Sequence, residues 1–188
     1  MRRFPILATL LVLIAVGAMI ALGFWQIGRL HEKEALLAHY ADARGRAEEV
    51  DWPRDAKGQA GLLYRHALLD CVTVNGRSSI AGRNAKGESG AAQTADCTLA
   101  DGTKALVVLG WSRLPMAAGG WNGGEVRGVI APGPRLVASP PLAGLDANAA
   151  PDPAEIPNNH FAYAVQWFVF AATALVIYGL AVRRRRKS

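Results

Sequence analysis

Cysteine is scarce in this sequence. Cys71 and Cys97 are the only two among 188 residues, and they do not form the Cys-x-x-Cys pair of a thiol oxidoreductase. The three methionines form no cluster, so a copper site has only the two thiolates to recommend it. The chain also lacks a glycine-rich nucleotide loop, a hydrolase nucleophile elbow and a zinc-ligand spacing. His31, His39 and His66 are scattered, with no carboxylate or cysteine arranged around them. These absences argue against an enzyme.

The most informative absence is charge. Pro5–Trp25 and Phe161–Val182 contain no Lys, Arg, Asp or Glu. At ~1.5 Å per residue each reaches roughly 31 to 33 Å as a helix, the thickness of a hydrocarbon core. The net charge of +6 is not a nucleic-acid signal, because the excess sits outside these runs. Arg2 and Arg3 precede the first, and Arg183, Arg184, Arg185, Arg186 and Lys187 follow the second. The remaining 14 basic residues nearly balance the 15 Asp and Glu. Under the positive-inside rule both termini are cytoplasmic and the middle is exported. The basic tail also suits anionic lipid head groups.

A cleaved signal peptide ending near Ala21-Leu22-Gly23 is the alternative for the first run, but the apolar stretch exceeds the ~7–15 residues of a usual signal core. No Arg- and Ser-rich transit segment precedes it, which favours a bacterial plasma membrane over a mitochondrial one.

Between the spans, the Ala, Leu, Glu and Lys of Arg29 to about Val50 predict a helix continuing outward, with Leu30, Leu37 and Tyr40 as a partial apolar stripe. Strands are predicted at Leu63–Val74, Gln93–Leu99, Lys104–Trp111 and Glu125–Ile130. Asp101-Gly102 marks a hairpin between the second and third. Ala105 to Leu109 is apolar on both faces, as a central strand requires. Gly82-Arg83-Asn84 and Gly119-Gly120 read as turns. Ala131–Asn159 holds seven of the ten prolines and predicts an extended return lying on the sheet. The fold class is therefore an α+β membrane protein, with two transmembrane helices flanking a small antiparallel sheet or partial barrel. Its parts are a cytoplasmic 1–4, spans at 5–25 and 161–182, a periplasmic domain at 26–160, and a basic cytoplasmic tail at 183–188.

His160 stands where the second span begins, after Pro157-Asn158-Asn159, and Asn is a favoured helix cap. A neutral imidazole there has the chemistry of a ligand for a metal or haem iron. Tyr163, Trp167, Ala171 and Ala174 follow on roughly one helix face, an aromatic wall above small residues. An interfacial histidine beside an ordinary aromatic belt is the competing reading. Arg29, one turn beyond Trp25, is placed to meet a carboxylate near His160 or to snorkel to head groups. Gln26 and Gln166 read as helix-to-helix hydrogen-bonding amides. In an exported domain Cys71 and Cys97 read first as a disulfide.

Three segments carry a family resemblance. Leu22-Gly23-Phe24-Trp25-Gln26-Ile27-Gly28-Arg29 with Lys33-Glu34-Ala35-Leu36 resembles the opening motif of the Surfeit locus protein 1 family. Asn158-Asn159-His160-Phe161-Ala162-Tyr163-Ala164-Val165-Gln166-Trp167-Phe168 resembles its closing motif, and Val107–Pro115 its glycine-tryptophan strand. The resemblance implies a non-enzymatic assembly factor for haem-copper cytochrome oxidase that carries haem a to the catalytic subunit, with haem a synthase a further candidate partner. It implies His160 as the axial ligand of the haem iron, with Tyr163, Trp167 and Arg29 completing the site. A structural adaptor that stabilises an oxidase intermediate without touching haem is the alternative. Leu109, where members often carry Arg, and the short exported domain depart from the family pattern.

Overall fold

The structure is a computed structural model that describes residues 6–115 and 120–187, with side chains described through residue 185. Arg2, Arg3, Pro5 and Gly119, used in the readings above, lie outside the described residues, as do the side chains of Arg186 and Lys187. The chain divides into two compact units, one running through Leu37 and resuming at Ile156, the other Ala38–Glu155.

The first unit is a helix pair. With no proline to interrupt it, the first apolar run and the Ala- and Leu-rich segment beyond it form a single helix, α1 (Ile6–Gly45). It stops at Gly45 rather than near Val50, because glycine is ~1 kcal/mol poorer than alanine in a helix and Val50 is drawn into the sheet. The second helix of the pair, His160–Lys187, takes in the other apolar run. Both are long and apolar enough to cross a membrane. Only 11% and 6% of their most apolar windows are buried, unlike the mostly buried core helix of a soluble fold.

Along α1, Val12, Val16, Met19, Gly23, Gln26 and Leu30 are buried or half-buried at alternating spacings of four and three. His160, Ala164, Trp167, Ala171, Ala174 and Tyr178 repeat the same spacing on the second helix. This is the interval at which one face of a helix stays against a neighbour. The pair is antiparallel: the Thr9 and Tyr178 hydroxyls meet at one end, and Gln26 meets His160 at the other. Between them the Phe168 ring lies over Gly23, where a Cβ would fall 2.6 Å from the ring. Phe24 meets the same ring edge-on, centroids 5.4 Å apart.

The second unit is built on a seven-stranded sheet ordered β1-β2-β6-β7-β5-β4-β3. Its strands are β1 (Val50–Asp51), β2 (His66–Cys71), β3 (Thr73–Arg83), β4 (Ser89–Thr98), β5 (Lys104–Ser112), β6 (Gly124–Ala131) and β7 (Arg135–Ala138). A short helix, α2 (Ala56–Gly61), separates β1 from β2 and is capped by Asp55, whose carboxylate accepts the Gly58 N–H. The long helix beginning at His160 is α3.

The α+β class holds, and the sheet is open. It is mixed rather than purely antiparallel, because β1 runs parallel to β2 and β7 parallel to β5. The parallel β7 has a local cause. Pro132-Gly133-Pro134 turns the chain back beside β6, with Gly133 at φ +74°, and the returning strand slots between β6 and β5. The β6–β7 approach is close enough that a Cβ on Gly128 would lie 2.1 Å from the Val137 carbonyl oxygen. As expected, β5 is central, with Val107, Val108 and Leu109 fully buried between β4 and β7, and Asp101-Gly102 turns β4 into β5.

Val72 alone separates β2, near one edge of the sheet, from β3 at the other. The sheet must therefore curl enough to bring the end of β2 beside β3 and β4 at this corner, while β1 remains an edge strand. The Val72 N–H donates to the Thr98 carbonyl, and Cys71 is bonded to Cys97, Cα atoms 5.3 Å apart. Both half-cystines lie in the main core with Leu69, Ala95, Val107 and Leu136. Each large aliphatic side chain buried here contributes ~2 kcal/mol. The Pro-rich return lies along the sheet: Leu142 N–H donates to the Leu109 carbonyl, and Asp146 and Trp111 exchange backbone hydrogen bonds.

The end of α1 is fastened within this unit. Tyr40 packs on Tyr64, centroids 4.9 Å apart, and Arg44 pairs with Asp152 at 2.9 Å. The Ala154 N–H and Arg44 hold the Asp152 carboxyl below its ordinary range. Burial, with Tyr40 and the carboxylates of Asp152 and Glu155 nearby, pushes the Tyr64 phenol up.

Candidate functional site

His160 is the first residue of α3. Asn159 takes the cap position ahead of it, its carbonyl accepting the Tyr163 N–H at 3.3 Å. The His160 Nδ1 lies 2.8 Å from Gln26 Oε1. An amide oxygen only accepts, so the ring donates from Nδ1, and Nε2 is the nitrogen outside this bond. This is the arrangement by which ligating histidines are oriented: one nitrogen bonded to a neighbouring oxygen, the other available to a metal.

His160 lines a shallow pocket of about 190 Å³ with Arg29, Glu32, Lys33 and Leu36. The Arg29 guanidinium is 2.5 Å from the Glu32 carboxylate, both side chains more than half exposed. Lys33 is half-buried, on the same stripe as Gln26 and Leu30.

Of the residues singled out from sequence, the fold brings His160 and Arg29 to one pocket. Tyr163 and Trp167 are on α3 but do not line it: Tyr163 is 52% exposed, and Trp167 packs edge-on against Phe170. The amide of Gln26 does join the two helices, and its partner is the histidine itself. Glu32 and Lys33 were not recognised as lining residues. The signal lay in spacing, since Lys33 is seven residues, two turns, beyond Gln26.

Among the described residues no three His, Cys, Asp or Glu side chains are grouped to hold a metal ion. His160 is the one imidazole in the pocket, so the pocket could offer a metal-bearing group a single nitrogen donor. The pocket is smaller than the ~300–1,000 Å³ that encloses a drug-sized ligand.

Fold and site define an α+β protein with two candidate membrane-spanning helices and one oriented imidazole where they meet. The chain belongs to the SURF1 family, whose model matches residues 13–172. The match takes in all three motif segments. The family is one of assembly factors, not known to be catalytic, and membership carries a role in cytochrome c oxidase assembly. The curated proteins contain no match to the chain.

Proposed function

We propose that this assembly factor binds haem a transiently at His160 and assists its insertion into the catalytic subunit of the oxidase. The observation that carries the reading is the 2.8 Å contact between His160 Nδ1 and Gln26 Oε1, which engages one ring nitrogen and keeps the other for a ligating role. A carrier must also release its cargo. One axial ligand in a shallow pocket suits release, whereas ligation from both faces would resist it. The test is to purify the protein in detergent from cells that make haem a and record its absorption spectrum. A haem band at a fixed ratio to protein is expected. A protein that copurifies with the oxidase but shows no band is the structural adaptor instead.

We place the protein in a bacterial plasma membrane with both termini cytoplasmic and the sheet unit periplasmic, on the strength of the terminal basic residues and the near-neutral middle. Reporter fusions in the sheet unit are expected to report export and fusions at the C-terminus cytoplasm. A cytoplasmic signal from the sheet unit would overturn this topology.

A further inference from the structure

We propose that Lys33 recognises a carboxylate of the ligand at the His160 pocket, and that Arg29 is kept from this task by Glu32. The inference rests on the haem-binding reading and adds the chemical feature by which the pocket chooses its ligand.

The pocket carries two cations and one anion. The anion is already engaged, because Glu32 holds Arg29 at 2.5 Å. Glu32 contacts one guanidinium nitrogen and offsets the charge of Arg29, so a carboxylate approaching Arg29 would meet a repelling carboxylate beside it. Among the described residues Lys33 has no ion-pair partner, so its charge is the one left over. Its placement also differs. Arg29 projects from an exposed position, while Lys33 lies half-buried on the packed stripe of α1. A half-buried lysine commonly covers its aliphatic stem and keeps the ammonium as the polar tip.

An ammonium beside an imidazole repels a bare metal cation and attracts a carboxylate. The pocket therefore suits a metal-bearing ligand whose periphery is anionic. Haem, with its carboxylate side chains, belongs to that class. An ammonium is a point charge rather than a two-pronged clamp, so it biases the choice of ligand without fixing it in place. That is what a site which must give up its ligand requires.

The test uses the full chain in detergent, titrated with haemin and with haemin dimethyl ester, in which the carboxylates are capped. Lys33→Gln is expected to weaken haemin binding roughly three- to ten-fold, the range of a partly exposed ion pair to somewhat above it. It should leave ester affinity and the position of the absorption band unchanged, because His160 still ligates. Lys33→Arg should restore most haemin affinity, and Arg29→Gln should cost less than Lys33→Gln. Unchanged haemin binding in Lys33→Gln overturns the assignment, and so does equal weakening for haemin and ester. If neither compound gives a His160-dependent band with the unmodified chain, the haem reading itself fails and takes the Lys33 assignment with it.

Discussion

On the haem-binding proposal, His160→Ala is expected to purify without haem while the protein still inserts in the membrane. The expected loss is complete because the described pocket offers no second imidazole or thiolate to replace the ligand. Insertion survives because alanine is the best helix former and the apolar run of α3 is untouched. The removed hydrogen bond leaves the Gln26 amide without its partner, a cost of ~1 kcal/mol that the rest of the α1–α3 seam absorbs. Gln26→Leu supplies the companion measurement. The imidazole remains, but nothing selects the nitrogen that carries the proton. Removing such an orienting partner typically costs about 10- to 100-fold in metal affinity. Tyr163→Ala and Trp167→Ala should weaken retention least, since neither side chain lines the pocket. The readout is haem per protein after purification at equal expression. Full haem with an unchanged spectrum in His160→Ala would end the ligand assignment and favour the adaptor.

Replacing Cys71 and Cys97 together with serine removes about 3.5 kcal/mol of stability from the sheet unit. The figure follows from the 26-residue separation of the two half-cystines and the loop entropy that the crosslink denies to the unfolded chain. Local structure adds to it. Both sulfurs are buried in the main core, so the serine hydroxyls would lie in apolar surroundings with a desolvation cost of their own. The double alanine variant separates the two effects, because it loses the crosslink without adding a polar group. Unfolding in denaturant, followed on the full chain in detergent, gives the differences, and thiol counting on unreduced, denatured protein gives the bonding state. Two free thiols in the unmodified chain, or no difference in midpoint for the alanine variant, would show that the crosslink does not stabilise this unit.

The helix pair was legible because its signal is long and redundant: two charge-free runs, each without an internal proline. The strands with β-branched or alternating apolar residues, β2, β5 and β6, were legible for the same reason. In contrast, β3 was hidden. Its run from Thr73 to Arg83 is rich in Gly, Ser and Asn, and such an edge strand is specified by backbone pairing to β4 rather than by its own side chains. The four residues of β7 were hidden by the prolines around them, which mark a turn but say nothing of the strand beyond it. The two cysteines could be matched to each other, but not their neighbours. Strands β2 and β4 are far apart in the sheet order and meet only because the sheet curls, and a curl of that kind leaves no trace in residue spacing. At the site, His160 and Arg29 were visible by type and position. Gln26 was visible as a polar amide in an apolar run, without its partner. Lys33 was passed over because a lysine just outside an apolar run looks like any solvated residue.

The matching four-and-three spacings of α1 and α3 leave more than one way to lay the helices together. Sliding one past the other by seven residues, about 10.5 Å, would again set stripe against stripe. The two nearest slips would put Met19 or Lys33 opposite His160 in place of Gln26, and Val16 or Leu30 opposite Phe168 in place of Gly23. A thioether is a poor acceptor and an ammonium is none at all, and neither branched side chain leaves room for the ring that glycine admits. The amide and the glycine thus act as a vernier. They select one alignment from a repeating set, and in doing so they decide which nitrogen of the histidine is engaged by the neighbouring helix.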